Sequence, residues 1–172
     1  CMALIKSVRG FTPQTGENCY LADTAVVIGD VVMGDECSIW FNAVLRGDVN
    51  PIRIGNRVNI QDNSTLHTTY QKSVVEIEDD VTIGHNVVVH GARIEQGALI
   101  GIGSVLLDHV VVGSHTIVAA GSVVLENSIL QPNSLYGGTP ARRLKAIDPE
   151  RLESMNIRIA RDYITYASWY TK

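Results

Sequence analysis

From Leu21 onward an aliphatic residue recurs at every sixth position: Leu21, Val27, Met33, Ile39 and Leu45. After a slip of three residues the series resumes at Ile54, Ile60 and Leu66, and after a longer interruption at Ile77, Ile83 and Val89. One residue is then dropped, and it continues through Ile94, Ile100, Leu106, Val112, Val118 and Val124. Four places after most of these stands a small or β-branched residue, from Ala25, Val31 and Cys37 through Ala43, Val49 and Val58 to Ser104 and Ser122. A fixed period of this kind marks a repeat architecture. Six residues are too few for a strand, a turn and a return, but they fit one side of a triangular coil. The aliphatic side chain then points into the prism and the small residue fits the corner. Stacked coils pair as parallel strands, each burying its neighbour's inner face. The competing β-sandwich, with strands every 8–12 residues, has no fixed six-residue period.

The pattern predicts a mainly β chain: a parallel β-helix over residues 1–147, with a C-terminal α-helix over 148–172 packed along it in a single structural domain. Asp148-Pro149-Glu150 reads as an N-cap, a first-turn proline and an acidic first turn. Leu152, Met155, Ile159, Tyr163, Tyr166 and Tyr170 then follow at spacings of three and four, the apolar stripe of an amphipathic helix. The segment from Tyr136 to Arg142 is expected to be the exit loop from the solenoid.

Composition narrows the function classes. The chain has 172 residues, of which 45% are hydrophobic, 6% aromatic and 19% charged. That apolar share excludes a disordered chain, and no run approaches the ~18 apolar residues of a membrane span. A net charge of −4 argues against a nucleic-acid-binding surface. The segment from Cys1 to Lys6 lacks the apolar core of a signal peptide, and Cys1 ahead of Met2 reads as an addition before the natural start. Three cysteines without a CxxC pair make no disulfide framework. Cys37 is expected to be a small buried residue, and a reducing cytoplasm the compartment.

With three hexads per coil, equivalent positions recur every eighteen residues. His67 follows the inward Leu66 and His90 follows the inward Val89, a separation of 23. The extra five match the interruption between Leu66 and Ile77, so the two histidines are expected on one outer face, one coil apart. Neighbouring strands lie ~4.8 Å apart, close enough for two imidazoles to share a metal at ~2.0–2.1 Å. His85 leaves from a different side of the triangle. It reaches such a pair only on an adjacent copy, in a symmetric trimer. The spacing therefore predicts metal sites at subunit interfaces, against the alternative of ordinary solvated histidines, which is the expectation for His109 and His115.

Arg46-Gly47-Asp48, Asn59-Ile60-Gln61-Asp62-Asn63, Leu66-His67, Ile83-Gly84-His85 and Val89-His90-Gly91 resemble the signature of the gamma-class carbonic anhydrase family. The likeness runs from about Pro13 to the C-terminal helix and includes Gly138-Thr139-Pro140-Ala141. It implies a left-handed coil, an exception to the usual crossover hand, and a homotrimer with an interfacial zinc or ferrous ion. The ligands it implies are His67, His85 and His90. A metal with an open position lowers the pKa of bound water to about 7, a magnitude that belongs to carbonic anhydrases of another class. Hydroxide then converts CO2 to bicarbonate. The resemblance gives Gln61, helped by Asn59, the task of orienting the reactants. It makes Arg46 and Asp48 an ion pair across the interface, with Asp62 nearby, in a structural or a catalytic role. Tyr163 either approaches the site or packs the helix.

Two departures leave the chain's rate open, and the second makes it resemble a short-loop subgroup. Val49 stands where active members carry glutamate, and the loop from Thr68 to Glu76 is short. Two other functions fit the same fold: an acyl-CoA-dependent transferase, and a metal-binding scaffold without strong catalysis.

Overall fold

The computed structural model describes residues 2–171, so Cys1 and its reading lie outside the described residues. The chain forms a parallel β-solenoid of about seven turns, closed by a hairpin and covered by one helix. Three faces run its length. The first stacks Leu4–Lys6, the leading halves of Val26–Met33 and Val44–Ile54, then Thr65–His67, Val88–His90, Val105–Leu106 and Val123–Val124. The second takes the trailing halves of the two long strands, then Val75–Ile77, Arg93–Ile94, Val111–Val112 and Ile129–Leu130. The third runs from Tyr20–Leu21 through Asn59–Ile60, Thr82–Ile83 and Leu99–Ile100 to Ser134–Gly138.

The inward series is the core. Every member from Val27 to Val124 is buried, and Leu21 is half-buried at the open end. The corner residues Ala25, Val31, Cys37, Ala43, Val58 and Ser64 are buried too. Val49 is the exception. The three extra residues fall between Leu45 and the second face, so Ile52 pairs with Val31 and fills the corner, and Val49 is only half-buried. Three residues after an inward position the backbone turns through the left-handed region, as at Asn42 (φ 60°), Asn63 (φ 60°) and Asn86 (φ 56°). His109 (φ 62°) and His115 (φ 55°) occupy the same turn position, which asparagine, aspartate and histidine tolerate better than most residues. His109 is exposed as expected. His115 is not fully solvated: it is half-buried, and its Nδ1 is buried without a partner.

The expected exit loop is a hairpin. Ala141–Ala146 returns antiparallel to Ser134–Gly138 and covers the last third-face strand. Helix α1 (Pro149–Ser168) begins where predicted, with the Asp148 carboxylate accepting the Arg151 N–H at 3.2 Å. Its buried line is rotated from the predicted stripe and consists of Leu152, Asn156, Ala160 and Ala167. Asn156 Nδ2 donates to the carbonyls of Gly97 (2.8 Å) and His115 (3.4 Å), which fastens the helix to the prism. Met155, Ile159 and Tyr163 flank that line, and Tyr166 and Tyr170 are exposed on one side. Small residues let the helix approach a flat β face closely, and bulky ones move to its rim.

The outward residues give each face its own chemistry. The third face lies under α1. The second carries Arg53, Glu76 and Arg93. The first presents Val26, Val44, Thr65, Val88, Val105 and Val123, a half-exposed, β-branched column the height of the solenoid.

Candidate metal centre

His67 and His90 are direct neighbours across the first face, paired in register with ring centroids 5.4 Å apart. Both lie at the end of their strands, at the corner leading to the second face. His85 lies just past Thr82–Ile83, at the opposite corner. Five residues, running through the left-handed turn at Asn86 and along Val88–His90, separate it from His90. Among the described residues no group of three or more His, Cys, Asp or Glu side chains within the chain is arranged to hold a metal ion. The histidines therefore form two candidate half-sites on opposite edges of one face.

Each imidazole has its own carboxylate. His67 Nε2 is 3.1 Å from Asp48 Oδ1, His85 Nδ1 is 2.8 Å from Asp62 Oδ2, and His90 Nδ1 is 3.0 Å from Asp108 Oδ1. A carboxylate behind an imidazole fixes its orientation and proton position and leaves the other ring nitrogen as a ligand. The donor set thus fits a divalent metal of the zinc type. Burial, and then the nearby Arg46 charge, push the His67 pKa down, which keeps that ring neutral as metal binding requires.

Arg46 Nη1 meets Asp48 Oδ2 at 2.6 Å within the chain. The two residues stand at i and i+2 on one strand and share a face. Burial would raise the Asp48 carboxyl, but Arg46 and His67 outweigh it and hold it below its ordinary range. Asp62 does not join that pair. It bonds His85 and accepts the Phe41 N–H at 3.1 Å.

On the His85 side, Gln61 and Asn59 are buried and linked. Gln61 Nε2 donates to Asn59 Oδ1 at 3.0 Å, and Asn59 Nδ2 donates to Thr82 Oγ1 at 2.9 Å. Tyr163 stands edge-on to Trp40, with centroids 5.4 Å apart. With Phe41, Asp62, His85 and the aromatic end of α1 it lines a cleft of about 270 Å³. Its packing role is therefore realised, on the same side as His85.

Burial first, then the Asp62 charge, push the Tyr163 hydroxyl up to about 12, above the usual value of about 10. A raised folded-state pKa means that the stabilisation is complete below the unfolded value and is lost as pH rises through the folded one. Stability should therefore fall between about pH 10 and 12, and Tyr163→Phe should flatten that limb. Urea unfolding at pH 9 and 11 measures it; equal slopes in both proteins would refute the assignment.

Sequence reasoning missed the support of the other half-site. Asp108 is buried and accepts from Ser73 Oγ (2.6 Å) and Thr69 Oγ1 (2.7 Å) as well as meeting His90. Burial would raise this carboxyl, but the two hydroxyls and His90 outweigh it and hold it at about 2. Asp108 lies eighteen residues after His90, one coil along, and that spacing was the available signal.

The profile of the bacterial transferase hexapeptide family (six repeats) matches residues 12–47 and 91–126. A carbonic anhydrase of Geobacillus kaustophilus is 48% identical over 167 residues, covering 97% of this chain and 91% of the relative. The mitochondrial gamma carbonic anhydrase 2 of Arabidopsis thaliana is 40% identical over 91% of this chain, which spans 58% of that longer protein. The crystal structure of a hexapeptide transferase family protein from Anaplasma phagocytophilum superposes with a TM-score of 0.90 at 33% identity, covering 97% of this chain and 98% of that one. No helix among the described residues is long and apolar enough to cross a membrane. Sequence likeness along nearly the whole chain, together with the same solenoid, places this chain in the gamma carbonic anhydrase family of hexapeptide-repeat proteins.

Proposed function

We propose that the chain is a carbonic anhydrase, hydrating CO2 reversibly to bicarbonate at metal sites shared between the subunits of a homotrimer. The observation that carries this reading is the placement of His67/His90 and His85 on opposite edges of the one face with an unpartnered apolar column. Closed ring symmetry brings the end edge of one copy against the start edge of the next. It covers the column from Val26 to Val123 at the same time. A half-exposed, largely apolar strip of that length suits an association surface.

In this arrangement His67 and His90 of one copy and His85 of its neighbour hold the metal, zinc or ferrous iron. A metal with three neutral imidazoles and an open position supplies Lewis acidity that makes water nucleophilic near neutral pH. The chain's own residues do the rest. Asp48, Asp62 and Asp108 hold the rings in one orientation. Gln61, anchored by Asn59 and Thr82, presents its amide to orient the reactants. Arg46 neutralises Asp48, and Trp40, Phe41 and Tyr163 form an apolar wall that suits CO2.

Elemental analysis with stopped-flow hydration tests the reading. The wild type should hold one metal per chain and hydrate CO2, and His67→Ala should lose both, with at least a hundredfold fall in rate. A fully metallated, intact trimer without hydration activity would refute it. Saturable acetyl-CoA binding by calorimetry would favour the transferase instead.

A further inference from the structure

Asp108 occupies an unusual place in the stack. It reaches past Gly91, on the coil before it, and meets four groups from two earlier coils: His90 Nδ1 at 3.0 Å, Ser73 Oγ at 2.6 Å, Thr69 Oγ1 at 2.7 Å and, more distantly, Lys72 Nζ at 3.6 Å. Its side chain is 5% exposed. The two hydroxyls belong to the loop that interrupts the repeat, and that loop is tied a second time. Asn50 Nδ2 donates to the carbonyls of Thr69 (2.6 Å) and Ser73 (2.7 Å). The Ser73 hydroxyl also accepts the Thr69 N–H at 3.0 Å, closing the loop on itself. Every strong contact of the buried carboxylate is therefore either to the His90 ring or to the loop.

We propose that Asp108 is the positioning residue of the His90 ligand, and that through Thr69 and Ser73 it makes metal affinity depend on the order of loop 68–74. A carboxylate that accepts the Nδ1 proton keeps His90 in the tautomer whose Nε2 lone pair is free. Loss of such a partner typically costs ten- to a hundredfold in metal affinity. The hydroxyls stop the carboxylate from rotating away and satisfy its remaining lone pairs. A short loop that carries no acidic group until Glu76 thus contributes by position. The proposal rests on the metal-binding reading above.

The test uses the full-length protein and zinc in competition with a chromophoric chelator, with ¹⁵N-histidine NMR of the metal-free protein. Asp108→Asn should lower zinc affinity ten- to a hundredfold and shift His90 from the Nδ1–H form towards a tautomeric mixture. Asp108→Glu should recover part of the affinity. Thr69→Val/Ser73→Ala, which leaves the carboxylate in place, should lower affinity severalfold and make the loop more sensitive to protease. Wild-type affinity and an unchanged His90 tautomer in a folded Asp108→Asn protein would overturn the proposal. If that variant does not fold, unchanged affinity in the double variant overturns it. A wild type that binds no zinc or iron would defeat the metal reading, whereas the tautomer measurement judges the Asp108 contact separately.

Discussion

Mixing equal amounts of His67→Ala and His85→Ala chains, each inactive alone, should restore about one quarter of the wild-type sites after unfolding and reassembly. In a closed three-membered ring every mixed trimer contains one interface at which an intact His67/His90 edge meets an intact His85 edge. Random assortment makes about three quarters of the trimers mixed, with one good site in three. Metal content and CO2 hydration should both return to that level. His67→Ala mixed with His90→Ala is the control, because both damage the same half-site and no interface is repaired. Activity that stays absent in the first mixture would show that the half-sites do not meet across subunits.

Gly91→Ala should be the most damaging single-methyl addition near the site. Gly91 has φ +63°, and a Cβ there would run into the Asp108 carboxylate and the Ser73 side chain. Left-handed backbone costs a non-glycine residue roughly 1–2 kcal/mol, and forcing atoms into a packed site adds about 1–3 kcal/mol. The sum of about 2–5 kcal/mol should lower the thermal midpoint by roughly 5–15 °C, and zinc affinity should fall with it. Gly121 separates the two terms: its φ is +70°, and a Cβ there meets nothing within 4 Å. Gly121→Ala should therefore show only the backbone cost and leave zinc binding intact. If the two substitutions behave alike in both assays, the crowding at Asp108 has no consequence.

What was legible from the chain follows from which features repeat. The six-residue period identifies the inward residues from Val27 to Val124 because each coil poses the same packing problem. Coil arithmetic places His67 beside His90 for the same reason. Errors arise where the repeat is interrupted or ends. Three added residues are visible between Leu45 and Ile54, but their location within that hexad is not, and so Ile52 rather than Val49 fills the corner. Hydrophobicity puts tyrosines on the helix stripe, whereas close approach to a flat sheet favours Ala160, Ala167 and a hydrogen-bonded Asn156. Asp108 lies one coil from His90, but its hydroxyl partners stand 35 and 39 residues away, and only the folded loop brings them to it.

In the proposed trimer, half-sites on opposite edges of one face would make protein concentration part of the chemistry. An ion held jointly by two chains binds the assembled ring more tightly than its dissociated members, so metal and assembly stabilise each other by mass action. Dilution should weaken apparent metal affinity, and a chelator should lower the dilution a ring survives, by the same factor in both directions. A cell making little of this chain, or starved of the ion, would hold separate and inactive subunits, and a modest rise in either component would switch them on together.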